Sequence, residues 1–349
     1  MRALCRLAVC GLMLSFTSPR QIPRESGYAV GADVSFLKAA EDGGKIFKDD
    51  GKAEPGLEVL RSHGYNWVRL RLFHAPTDLP NNLAYTIALA QQAKRLGFRF
   101  LLDFHYSDTW ADPGKQFTPA DWKSLPHDQL VQTVFTYTKD TISAFRTAGV
   151  LPDMVQVGNE ITHGMLWPDG RLPENWDKFA ELVKAGIAGV RAGSEDEPSP
   201  LIMIHIDRGG DRDGTKAFFD RLDSYGVQYD VIGQSYYPWW HGSLDDLRAN
   251  LAFMAGEYKK PIYVVETAYN WRSTVYINKP GPFPETPEGQ KEFLANVNQV
   301  VQETPNGLGQ GVFWWEPAVP NGPLVSRGLF DDSGNTLPAI TVFDKFERY

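Results

Sequence analysis

With 349 residues, 42% of them hydrophobic and 22% charged, the chain has an ordinary globular make-up, long enough for one barrel-sized domain or two smaller ones. A formal charge of −8, with no basic run to offset it, argues against nucleic acid and against acidic polymers such as polygalacturonate. A neutral ligand is indifferent to that field.

The first residues, MRALCRLAVCGLMLSFTS, start basic, run apolar to Phe16 and end in small polar residues. This is the pattern of a secretory signal peptide over 1–18, interrupted by Arg6, and it is too short for a membrane span. Its removal takes Arg2 and Arg6 with it, moving the charge from −8 to −10, and leaves a mature chain without Cys5 and Cys10, hence without a disulfide. Leu7-Ala8-Val9-Cys10 faintly resembles a lipoprotein cleavage box, but Val9 is bulky and the apolar run continues past Cys10, which argues against lipid anchoring. The expected location is periplasmic or extracellular, with a short lead-in over 19–27, one domain over 28–349, and a monomer.

Eight strand-like runs follow in order: YAVGADVSF, NWVRLRLF, FRFLLDFHY, DMVQVGNE, LIMIHID, DVIGQSYYP, PIYVVETAY and GVFWWEP. Helical patterns lie between them, among them 85–96, 129–148, 176–191, 244–258 and 287–303, and several are expected to close on a glycine in RLGF, TAGV and RAGS. Alternating strands and helices imply right-handed parallel units, and eight of them close into a (β/α)8 TIM barrel. A doubly wound open sheet is the competitor; it is disfavoured because no Gly-rich turn follows the first strand and because polar or aromatic residues end nearly every strand. The long segments 106–126, 161–175, 208–215, 237–243, 270–286 and 318–335 all follow strands, where a barrel carries its active site.

VQVGNE ends the fourth strand in Glu160, and VVETAY brings Glu266 to the top of the seventh. Two carboxylates facing each other across a barrel mouth can share acid and nucleophile roles at a glycosidic bond, and a separation of about 5 to 5.5 Å gives retention of configuration. Asn159 stands ready to grip a sugar hydroxyl. Arg69 and Arg71, on one face of the second strand, are the guanidinium groups available to keep a nucleophilic carboxylate ionised; the one not so used is expected in an ion pair at the barrel floor. Tyr236 is the expected hydrogen-bond donor to Glu266, and His105 and His205 could donate to sugar hydroxyls or to the carboxylates. Of ten tryptophans only Trp67 begins a strand; the rest, including Trp110, Trp239, Trp314 and Trp315, lie at strand ends or beyond, as flat platforms for pyranose rings would. Trp122 and Trp176, each starting a helix, are expected to be core. Asp207, Asp211 and Asp213 lack a calcium-loop spacing and read as turn residues, so no metal or cofactor is expected.

GADVSFLK, VRLRLF, DFHYSDTWADPGKQ, VQVGNEI, GQSYYPWW, VVETAY and FWWEP, in that order, resemble the motifs of glycoside hydrolase family 53, the endo-β-1,4-galactanases, within the clan of retaining (β/α)8 glycosidases. VGNE is shared across that clan; HYSDTWADPGKQ, with Asp108 and Trp110 as expected sugar contacts, is far more specific. The resemblance implies that Glu160 is the acid/base, Glu266 the nucleophile, Asn159 a contact to the cleaved sugar, one of the two arginines the group beneath the nucleophile, and Trp314 or Trp315 the platform. It implies neutral β-1,4-galactan as substrate, with mannan, xylan or glucan cleavage as the alternative, and a sugar-binding barrel without catalysis as the reading from a different class. Some bacterial relatives hold calcium after the seventh strand; here that loop has acids only at its far end, which argues against one.

Overall fold

The structure is a computed structural model and describes residues 27–195, 197–274, 277 and 279–344. The expected signal peptide, with Cys5 and Cys10, and residues 19–26 of the lead-in lie outside the described residues. Among the described residues eight parallel strands close a barrel: β1 (Ala29–Asp33), β2 (Trp67–Leu72), β3 (Arg99–Phe104), β4 (Met154–Val157), β5 (Leu201–Ile206), β6 (Val231–Tyr236), β7 (Ile262–Thr267) and β8 (Gly309–Trp315). Each pairs with the next, and β8 returns to β1 with Ala29 opposite Gly311. These are the eight expected strands.

The barrel interior changes character along its axis. Its lower layer is apolar and draws on every strand: Ala29, Trp67, Leu101, Met154, Met203, Val231, Tyr263, Val265 and Phe313 form one buried cluster. Room for Phe313 comes from Gly31, where an added Cβ would lie 2.2 Å from the ring. Two residues further along four of the strands, on the same face, the apolar group gives way to Arg69, Asp103, Gln156 and His205, and on β1 Asp33 follows four residues after Ala29, all buried. A polar layer is therefore built into the mouth by the strand period itself.

The outer layer holds α1 (Leu37–Asp42), α2 (Gly56–Ser62), α3 (Leu83–Arg95), α4 (His127–Thr147), α5 (Trp176–Ser194), α6 (Arg212–Ser224), α7 (Leu244–Glu257) and α8 (Pro287–Gln302). Their starts carry caps: Asn82 accepts from Tyr85 N, Asp211 from Gly214 N, Thr286 from Gly289 N, and Ser243 forms a reciprocal capping box with Asp246. Gly97 and Gly149, at φ of 78° and 73°, follow the ends of α3 and α4 as expected. Gly193 does not end its helix: α5 continues to Ser194. The glycine is needed instead for close approach, since a Cβ there would sit 2.5 Å from the Lys139 carbonyl of α4. Trp122 and Trp176 pack in this layer, as expected of core residues.

His63, just after α2, bridges Asp344 at 2.6 Å and Asp49 at 3.3 Å. Burial alone would lower its pKa, but the two carboxylates outweigh that and raise it. The stabilisation is therefore complete below the unfolded value of about 6.5 and is lost as pH rises through the folded value. His63→Ala is expected to lower stability by about 0.5 to 1 kcal/mol at pH 5.5 and by clearly less at pH 9, the partners being partly exposed. Thermal melts at the two pH values check this; an equal loss at both would refute it.

Candidate active site

β4 stops at Val157 because the next residues cannot remain extended. Gly158 has φ of 89°, and a Cβ there would lie 2.5 Å from Ile161. Glu160 is itself left-handed at φ of 47°, a conformation that costs a non-glycine residue about 1 kcal/mol or more. The turn is held from outside by Gln116, whose amide donates to the Asn159 carbonyl at 2.8 Å and reaches the Glu160 carbonyl at 3.4 Å. Gly-Asn-Glu thus turns both polar side chains into the mouth.

Arg69 organises what surrounds Glu266. Nε donates to Gln156, Nη1 to Asp33 at 2.7 Å and to Glu266 at 2.8 Å, and Nη2 to Asp103 at 2.9 Å and Asn159 at 2.8 Å. All five guanidinium donors are used. The other Glu266 oxygen accepts from the Tyr237 hydroxyl at 3.0 Å. Asn159 has its carbonyl oxygen on Arg69 and one amide hydrogen on the Ala111 carbonyl at 2.8 Å, which leaves its second N–H for the cleft it lines.

These groups floor an open cleft of about 750 Å³. Glu160, Glu266, Asn159, Arg69, Arg71, His105, Trp110 and Trp315 all line it. His105 accepts from Ala111 N on Nδ1, so Nε2 carries the proton given to Asp103 at 3.0 Å. Arg71 is not at the barrel floor. It lies in the cleft wall, paired with Glu316 and packed over the rings of Trp110 and Phe36, whose centres are 4.3 and 4.7 Å away.

Five expected site residues stand elsewhere. Tyr236 points out of the barrel, donates to the Gly242 carbonyl and stacks on Phe293; the donor to Glu266 is its neighbour Tyr237. Inward positions on β6 run Val231, Gly233, Ser235, Tyr237, and that alternation was the available signal. Trp314 is likewise outward, its Nε1 on the Arg327 carbonyl, so Trp315 is the β8 ring in the cleft. Trp239 is buried against Tyr269 at 5.1 Å, and half-exposed Trp240 takes the cleft position. His205 is wholly buried, bonded to Gln156 and Ser235 beneath the turn at Asn159. Asp108 pins the loop by accepting from His74, Ala75 N and Ala120 N.

Asp207 corrects the other way. Rather than a turn residue it lines the cleft, bonded to the Thr162 hydroxyl, while Asp211 caps α6. Among the described residues no group of His, Cys, Asp and Glu is placed to hold a metal ion, and no helix is long and apolar enough to cross a membrane.

The two glutamates differ in environment. Glu160 is held well above the usual carboxylate range by burial, then by the charges of Glu266 and Asp207. Glu266 is pushed up to about 7 by burial, and Arg69 and Tyr237 restrain the rise. Of the two, Glu160 therefore holds its proton to higher pH and Glu266 is the first to ionise.

A family model for glycosyl hydrolase family 53 matches residues 29–343. The chain belongs to glycosyl hydrolase family 53. It is 37% identical to an arabinogalactan endo-β-1,4-galactanase of Thermothelomyces thermophilus, over 90% of this chain and 98% of that one. It is 43% identical to an uncharacterised protein of Niallia circulans, over 92% and 91% of the two chains. A fungal β-1,4-galactanase structure superposes with a TM-score of 0.85 at 36% identity, covering 91% of this chain and 99% of that chain. As a family 53 member the protein is a glycosidase, and the expected (β/α)8 barrel is the fold that it has.

Proposed function

We propose that this glycosidase is an endo-β-1,4-galactanase acting with retention on neutral galactan, with Glu266 as nucleophile and Glu160 as acid/base. The observation that carries this reading is the unequal pair at the ends of β4 and β7: one carboxyl buried with no cation paired to it among the described residues, the other gripped by Arg69 and Tyr237. Glu266 attacks the anomeric carbon as Glu160 gives its proton to the departing glycosidic oxygen. Glu160 then takes a proton from the water that hydrolyses the glycosyl–enzyme bond. The free N–H of Asn159 serves the hydroxyl beside the reacting carbon, and Trp315 supports the ring.

Galactan as substrate is supported by the names of the relatives, and internal cleavage by the open form of the cleft. Export is supported by the basic and apolar start of the chain. Initial rates on debranched galactan, β-mannan, xylan and carboxymethylcellulose, with viscosity followed against reducing ends, test the reading. A rapid viscosity fall on galactan with short galacto-oligosaccharides is expected. Faster turnover of another polymer, or galactose as the sole early product, would overturn it.

The pH profile gives a second test. A bell-shaped kcat/KM is expected, its acid limb set by ionisation of Glu266 and its alkaline limb by loss of the Glu160 proton. Asp207→Asn removes a negative charge that favours the protonated form of Glu160, so the alkaline limb should move to lower pH while the acid limb stays. An unmoved alkaline limb would remove Asp207 from this role.

A further inference from the structure

Arg327 ends the 3-10 turn Pro323–Arg327 in the loop after β8 and is 3% exposed, in the cleft wall. Its guanidinium carbon lies 5.5 Å from the ring centre of Tyr237, 5.4 Å from Trp239, 5.7 Å from Trp240 and 5.6 Å from Trp315. Its carbonyl is anchored by Trp314 Nε1 at 2.8 Å and by the Gln290 amide of α8. One buried cation thus joins rings carried by two separate strand ends.

Those rings meet one another mainly at their edges. Tyr237 stands at 89° to Trp315 with centres 6.4 Å apart, and at 70° to Trp240 with centres 5.7 Å apart. Edge-to-face contacts favour such angles but contribute only modestly per pair, so a further tie between the rings adds to their hold. A cation attracted to the electron-rich rings at once holds them to a common centre, which an apolar side chain of the same volume cannot do. Two of the rings matter to the reaction: Tyr237 donates to Glu266, and Trp315 is the β8 ring in the cleft.

We infer that Arg327 is a positioning residue for hydrolysis, holding the Tyr237 hydroxyl on Glu266 and the Trp315 ring in the cleft by bridging the aromatic wall. The inference rests on the proposed role of Glu266, which Glu266→Ala tests separately. Glu266 is faced by Arg69 and Tyr237, with Arg71, Asp33, Asp103 and Glu160 among the other charged or titratable groups around it.

The test compares Arg327→Met and Arg327→Lys with the wild type on whichever β-glycan the wild type turns over fastest, so a wrong substrate assignment does not touch it. Arg327→Met is expected to lower kcat roughly 10- to 100-fold, as a misplaced catalytic group does. It should also move the acid limb of kcat/KM to higher pH, because Glu266 loses its aligned donor. Lysine should return the limb toward the wild-type position while restoring kcat only in part. Tyr237→Phe should cost much less in the Arg327→Met background than in the wild type, since the two changes remove one hydrogen bond. A methionine variant with reduced melting temperature but wild-type kcat and acid limb would make Arg327 merely structural, and additive losses in the double variant would equally overturn the inference. If Arg327→Met does not fold, the same cycle run with Arg327→Lys decides it.

Discussion

Glu266→Ala is expected to lower turnover by roughly 10⁴-fold or more, the remainder being the share of catalysis that comes from binding and electrostatics. The reason is the position of the carboxylate: Oε1 on Arg69 at 2.8 Å and Oε2 on Tyr237 at 3.0 Å fix both oxygens and favour their charged form. Alanine removes the only part of the arrangement that forms a bond to the sugar in this mechanism. Azide, small enough for the vacated space, should restore part of the rate and yield a glycosyl azide of inverted configuration. Wild-type hydrolysis followed by proton NMR should release the β-anomer first. An α-anomer released first, or near-normal turnover by the alanine variant, would sink the assignment.

Arg69→Met should be nearly as damaging, and in two measurements at once. The guanidinium satisfies three carboxylates, and two of them, Asp33 and Asp103, are completely buried. Breaking a buried ion pair by deleting one partner costs about 3 to 5 kcal/mol, because the remaining charge has no water to turn to. Asp103 shows the dependence: burial would raise its pKa, yet Arg69 and His105 bring it down to about 2. In activity, loss of the cation destabilises ionised Glu266, so the acid limb of kcat/KM should shift to higher pH and kcat should fall by roughly 10³-fold at neutral pH. Arg69→Lys keeps the charge but offers three donors where five acceptors wait, and should lie between. A methionine variant with an unmoved acid limb would show that Arg69 serves the barrel and not the carboxylate.

Both predictions start from residues legible in the chain. Glu160 and Glu266 ended recognisable strands, and the two arginines shared one face of β2 because side chains alternate with period two. The same rule, applied from Val231, leads past Tyr236 to Tyr237. It fails to separate Trp239 from Trp240, because both lie in a loop that has no period. Asp207 escaped for a related reason: IDRGGDRDG reads as a turn, and only the closed barrel brings its first acid beside Glu160. Gly193 was misread since a glycine near a helix end has two uses, ending the helix or admitting a neighbour, and the neighbour, α4, is remote in sequence.

Local sequence by itself determined the eight strands, the glycines that follow α3 and α4 and the two carboxyls at the barrel mouth. Each follows from short-range rules of period, capping and turn chemistry that need no knowledge of distant residues. The tertiary structure alone decided which arginine holds Glu266, which of Trp239 and Trp240 enters the cleft, and that Arg327 sits among the rings of Tyr237, Trp239, Trp240 and Trp315. Those are contacts between strand ends far apart in the chain. Their distances are set by closure of the barrel, so no window of sequence contains them.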